Sequence, residues 1–274
     1  NNIRIGWVLE QLAAAGAGEQ ILFDAKPHIG TDVLVDVVQN IRRRIISLGG
    51  EVRFETQVTD IFTENGAVSG LQLNGTERLD CDKVILAIGH SARETFEMLL
   101  RRTLPMEAKP FAMGVRIEHL QKQIDYAQYG CNDPVLPPAD YKLVKHLADE
   151  TVYTFCMCPG GYVVAAASEE GGVVTNGMSY ADRAGENANA ALLVTLNPRD
   201  FPGNDPLAGM YWQREIEQRA YSVGGYRAPA QLVGDFLKGI PSTGPVSVQP
   251  TYRPGVTWCD LHTVLPDKIT RALA

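Results

Sequence analysis

The stretch Lys83-Val84-Ile85-Leu86-Ala87-Ile88-Gly89-His90-Ser91 decides the fold class. Its apolar run is unbroken from Val84 to Ile88 and stops at a glycine, the pattern of a strand buried on both faces in a parallel sheet; a half-exposed antiparallel strand would alternate. A helix is expected directly after it, with Ser91 as N-cap, Glu94 in the capping-box position and Phe96, Leu99 and Leu100 as its apolar face. Upstream of the run the period is two: Val52 and Phe54 alternate, Val58 to Phe62 turns at Asn65-Gly66 into Ala67 to Leu73, and the chain turns again at Asn74-Gly75. Asn-Gly between alternating apolar runs signals a hairpin, because both turn positions need residues that tolerate positive φ. A β-meander is therefore expected to lead into the strand at 83–89.

Outward from this block, Leu34, Val37, Val38, Ile41, Ile45 and Leu48 recur at helical spacing, with Thr31 or Asp32 as N-cap and Gly49-Gly50 as stop. A shorter helix from Arg4 to Ala15 precedes it, ending at Gly16 or Gly18. Beyond Pro110 the character changes. Phe111 to Ile117, Val152 to Met157, Tyr162 to Ala167 and Ala191 to Leu196 read as strands of a second, mostly antiparallel sheet, and an amphipathic helix from Leu207 to about Tyr221 would cover it. Gly239 to Pro254 reads as a return linker, and a helix is expected within Asp260 to Ala274.

Composition bounds the function. The 274 residues carry a net charge of -7 without long acidic runs, and the one basic cluster, Arg42-Arg43-Arg44, falls inside a helical pattern, so nucleic-acid binding is not expected. No apolar stretch is long enough to cross a bilayer. Five cysteines without framework spacing read as reduced thiols, which together point to a soluble, cytoplasmic protein. The nearest approach to a dinucleotide glycine motif, Gly16-Ala17-Gly18, follows a helix and has Ile21 where the third glycine belongs, so it reads as a helix-terminating loop.

The order of elements, a long helix, a strand, a meander on Asn-Gly turns, a buried strand ending Ala87-Ile88-Gly89 and a helix, resembles the later part of the FAD-binding domain in glutathione-reductase-like flavoproteins. There a meander connects to a strand ending in an Ala-Thr-Gly-like turn near the FAD, and Ile88 stands for the threonine. Longer strings, Asp24-Ala25-Lys26-Pro27-His28-Ile29-Gly30-Thr31-Asp32, Ile88 to Arg93, Thr154 to Gly161 and Gly171 to Tyr180, look like the uncharacterised bacterial FAD-dependent dehydrogenases. The resemblance covers nearly the whole chain. It implies FAD as cofactor, NAD(P)H as a candidate electron donor and a small-molecule substrate. It also implies that the family's glycine loop lies before Asn1 and its glycine-rich closing segment after Ala274, so that the chain is a fragment.

The implied fold is α/β: a partial doubly wound FAD-binding domain with a β-meander at 1–110, an inserted α+β substrate or cap domain at 111–240, and a return segment at 241–274. The resemblance places the backbone of Val58 at the adenine edge and Ala87, Ile88, Gly89, His90 and Ser91 beside the cofactor; Val58 also reads as a core valine. His28 is the candidate to orient or protonate a substrate, or a loop histidine bonding backbone. Lys26 would stabilise anionic reduced flavin, or be a solvated lysine. Cys156 and Cys158 project from one face of the expected strand and would relay electrons, Cys158 foremost, or be simple buried thiols. Arg116 faces a carboxylate or the cofactor, or solvent. The parent would move hydride equivalents between an organic substrate or NAD(P)H and FAD. The alternative is a non-catalytic FAD- or nucleotide-binding protein whose inserted domain binds a partner or ligand.

Overall fold

A computed structural model describes residues 3–274; Asn1 and Asn2, the start of the expected 1–110 segment, lie outside the described residues. The chain opens with α1 (Ile3–Ala14) and α2 (Thr31–Ser47), passes through β1 (Val58–Glu64), β2 (Ala67–Leu73) and β3 (Glu77–Asp80), and continues into α3 (Arg93–Arg101). There follow β4 (Phe111–Leu120), α4 (Gln121–Tyr129), β5 (Val144–His146), β6 (Thr151–Cys158), β7 (Gly161–Ala165), β8 (Thr175–Ser179) and β9 (Asn187–Leu196). The last part holds α5 (Ala208–Gly224), β10 (Ala228–Ala230), α6 (Val233–Phe236), β11 (Val256–Trp258) and α7 (Asp267–Leu273). Contacts divide this chain into two compact units.

The smaller unit comprises Ile45–Lys109 and Pro198–Gln213. In it β1, β2 and β3 form the expected meander, an antiparallel sheet in that order. Both Asn-Gly turns carry positive φ at both residues, Asn65 at 52° with Gly66 at 78°, and Asn74 at 50° with Gly75 at 77°, which matches the right-handed twist of the strands they join. Helix α3 lays Met98 and Leu99 on Ile61, with Val68, Leu71 and Met106 around them. Asp60 receives Arg102 through both carboxylate oxygens, Nε at 2.6 Å and Nη2 on the other oxygen, and also accepts from the Ile61 amide.

Three expectations fail in this unit. Residues 83–88 do not form a strand, and Ile85 is 92% exposed. A central strand takes its hydrogen bonds from neighbours on both sides, and no strand lies beside this segment among the described residues. The short alternation at Val52 and Phe54 forms no strand either. Ser91 does not cap α3, whose N-cap is Ala92 without a side-chain bond; the Ser91 hydroxyl meets His90 Nδ1 at 3.2 Å and Glu94 accepts from Gln57.

The larger unit takes residues up to Arg44, Pro110–Asn197 and Arg214–Ala274. Its main sheet has the order β4-β9-β6-β5 and is antiparallel throughout, in line with the mostly antiparallel sheet expected. Strand β9 is central and its Val194 and Leu196 are fully buried. Hairpin β7-β8 is a separate antiparallel pair. Near the end of α5, Ala220 shares one buried cluster with Val163 of β7 and with Val173, Ala228, Tyr252 and Val264. Helices α1 and α2 pack through Ala15, Ala17, Ile21 and Val37. Helix α2 starts at Thr31 itself: Leu34 donates to Gly30 O, while the Thr31 hydroxyl and the Asp32 carboxylate hold Ser179 O and the Ala181 amide. Among the described residues the one parallel pair is β10 with β11, so no doubly wound sheet is present in them.

Truncating Leu196 to alanine is expected to cost roughly 2–5 kcal/mol, since its fully buried side chain leaves a cavity in the main sheet. Chemical denaturation of the two proteins measures it. The Arg102 guanidinium holds the Asp60 carboxyl below its ordinary value of 3.8, so the pair stabilises the fold above that pH and the contribution is lost as pH falls through the lower folded value. Melting temperatures of wild type and Asp60→Asn should therefore differ at neutral pH and converge in strong acid.

Candidate functional site

Val58 heads β1 opposite Leu73 and is half-buried. The segment before it is stapled by Asn74: the Gln57 amide donates to the side-chain Oδ1 of Asn74 at 2.8 Å and the Gln57 carbonyl accepts from the Asn74 amide, while Asn74 Nδ2 donates to Glu55 O. The signal for this was the Asn of the Asn-Gly turn, which the sequence reading used only for its φ. Gln57 Nε2 also reaches Glu94 Oε1 at 3.2 Å, so the approach to Val58 lies against the first turn of α3, just beyond Ser91. The structure thus brings the Val58 approach and the end of the 83–91 segment together. In that segment Ala87, Gly89, His90 and Ser91 are exposed, Ile88 is half-buried, and Gly89 turns the chain at φ 63° with open space around it.

The larger unit holds the other candidates. His28 is half-buried and its Nε2 sits 3.2 Å from Tyr180 O, the backbone bond that a loop histidine makes. Lys26 is exposed and paired with Asp140 at 2.8 Å, so its charge is already met by a carboxylate. Cys158 is buried and Cys156 exposed, and the regular alternation expected to set them on one face is interrupted, because β6 bulges between Phe155 and Cys158. Arg116 turns inward. Its Nε donates to Asn189 Oδ1 at 2.7 Å, and its Nη2 to Cys156 O at 2.7 Å and Cys158 Sγ at 3.3 Å. Gly177 makes this arrangement fit, since a Cβ there would lie 2.0 Å from Arg116 Nη2 and 2.2 Å from Asn189 Oδ1. Sequence reasoning missed Asn189 and Gly177, which touch Arg116 only through tertiary packing.

Two surface clefts in the smaller unit measure about 250 and 220 Å³, below the roughly 300–1,000 Å³ of typical ligand pockets. Neither is lined by a predicted site residue; one runs along Ala108 and Pro198 to Asp205, the other along Thr59, Asp60, Met98, Arg101 and Arg102. The residues fit an FAD only in part. An open glycine turn with exposed backbone at 87–91 suits close approach of a cofactor, but Gly16-Ala17-Gly18 lies between α1 and a 3-10 turn rather than between a strand and a helix, so it offers no pyrophosphate loop. Among the described residues no group of His, Cys, Asp and Glu could hold a metal ion, and no helix is long and apolar enough to cross a membrane.

Two comparisons bear on the cofactor. The chain is similar to an "Uncharacterized protein" of Clostridium beijerinckii (strain ATCC 51743 / NCIMB 8052), 49% identical over 276 residues, which cover 98% of this chain and 52% of that protein. The chain thus spans about half the length of this curated relative. A family model described as "FAD-dependent protein, C-terminal domain-like" matches residues 110–274, a continuous stretch from the start of β4 through α7. With well over half of its residues matched in this way, the chain belongs to that family of FAD-dependent proteins.

Proposed function

We propose that the chain is part of a flavoprotein oxidoreductase in which residues 1–110 contribute to the FAD-binding domain, 111–240 form the inserted substrate or cap domain and 241–274 return toward the cofactor. The observation that carries this reading is the apolar segment 83–88, which follows a β-meander and leaves Ile85 92% exposed. A chain gains nothing by exposing Ile85, Leu86 and Ala87 to water; the run suits a strand that completes a parallel sheet with further polypeptide. Exposed apolar side chains on α1 and α2, among them Trp7 at 62% and Val38 at 58%, point the same way.

In this reading the backbone at Val58 holds the adenine edge, and Ala87, Ile88, Gly89, His90 and Ser91 line the cofactor. When bound, the flavin supplies hydride acceptance, with an organic substrate or NAD(P)H as donor. Lys26 and His28 belong to the substrate side: His28 is positioned through its bond to Tyr180 O, and Lys26 supplies charge when Asp140 releases it. The protein works in the cytoplasm on a small molecule, without nucleic acid or membrane as partner. That both Lys26 and His28 are already engaged favours a second reading, in which FAD is bound without catalysis.

Purified as these 274 residues, the protein is expected to bind FAD weakly or not at all, because the backbone grip on the pyrophosphate is missing from the described residues. A polypeptide of the relative's full length should carry stoichiometric FAD, read from its absorbance, and bleach with a reduced substrate or NAD(P)H. A colourless long form would refute the flavoprotein reading; a yellow long form that no donor bleaches would support the non-catalytic one.

A further inference from the structure

We propose that Cys156 and Cys158 form a redox-active dithiol that closes to an intrachain disulfide by exchange with small-molecule disulfides. In a regular strand residues i and i+2 stand about 6.6 Å apart, at the far limit for a disulfide. Strand β6 is not regular here. Phe155 pairs with Ala191 and Cys158 with Asn189, so three steps along β6 face two along β9 and one residue is extra. Cys156 lies in this bulge at φ 46°, a left-handed conformation that side chains other than glycine rarely adopt. The bulge breaks the regular spacing, and Cys158 Sγ lies 3.3 Å from Cys156 O.

The site is built around one guanidinium. Arg116 Nη2 bonds both Cys156 O and Cys158 Sγ, and is fixed from behind by Asn189, which is fully buried and whose Nδ2 has no partner among the described residues. Exposure divides the work between the thiols. Cys156 is open to solvent and Cys158 is 7% exposed, so a disulfide reagent meets Cys156 first. The Cys156 thiolate attacks one sulfur of R–S–S–R, forming a mixed disulfide and releasing RS⁻. Cys158 then loses its proton to solvent and its thiolate attacks Cys156 Sγ, which breaks the mixed bond and releases the second RS⁻. The two cysteine sulfurs are oxidised by two electrons in total and the reagent is reduced to two thiols.

Burial pushes the Cys158 thiol up to about 11, with Arg116 opposing the shift and Cys156 adding to it. Cys158 therefore rests as a thiol at neutral pH and becomes an effective nucleophile only when a mixed disulfide is held beside it. Arg116 is a positioning residue for that thiolate. The small ring strains the product, which makes it easy to reduce. None of this depends on flavin.

The test treats the full 274-residue chain with oxidised glutathione and maps the peptide containing residues 155–161 by mass spectrometry. The expected product is lighter by two hydrogen atoms, protects both cysteines from iodoacetamide and is reversed by dithiothreitol. Closure should accelerate as pH rises and more of the buried Cys158 is thiolate, and Arg116→Gln should move this profile to higher pH. Cys158→Ser should stop at a lasting glutathione adduct on Cys156. A lasting adduct on Cys156 in the wild type, or no reaction there, would overturn the proposal without bearing on FAD.

Discussion

A strand's backbone carries a donor and an acceptor at every residue, and each needs a partner once the strand is buried. Residues 83–87 have the side chains of a buried strand and no backbone partner among the described residues. That mismatch organises the smaller unit. The meander before it is self-sufficient because antiparallel hairpins satisfy their own inner edges, and α3 after it is anchored by Met98 and Leu99 on Ile61. The segment between them has apolar chemistry and nothing to pair with.

The larger unit shows the contrasting case. Its four-stranded sheet is antiparallel and closes with strands from its own sequence, so Val194 and Leu196 on central β9 are fully buried. The same sheet sets the environment of Arg116. A cation on a strand face would ordinarily reach water; here Gly177 lets it turn inward, where it is satisfied by Asn189, by the Cys156 carbonyl and by the Cys158 sulfur. A polar cluster of this kind survives burial only because nearly every group in it has a partner.

What the sequence disclosed follows from the range of the forces involved. Helix α2, the Asn-Gly turns, β1, β2, β4, β6 and β9 are set largely by neighbours along the chain and appear close to where periodicity and turn chemistry placed them, whereas β5 and β8 were not expected. Short helix α4 was overlooked, since nine residues of mixed polarity beside a Pro-rich loop leave little pattern. The strand expected at 83–89 is not formed among the described residues, because a side-chain pattern says which environment a segment suits, and not whether the partners are there. Cys156 and Cys158 were assigned to one face because a period of two was assumed through a point where β6 inserts a residue. Ser91 lost its capping role to Ala92, a shift of one residue that propensity does not resolve.

The proposed reading turns on the unpaired apolar segment: residues 83–88 would pair as a sheet strand only within a longer polypeptide. Amide hydrogen exchange tests it most directly. The account predicts that the amides of Val84 to Ile88 exchange at nearly the rate of free peptide in the 274-residue chain and become among the slowest in a polypeptide of the relative's full length. Fast exchange in both would contradict it.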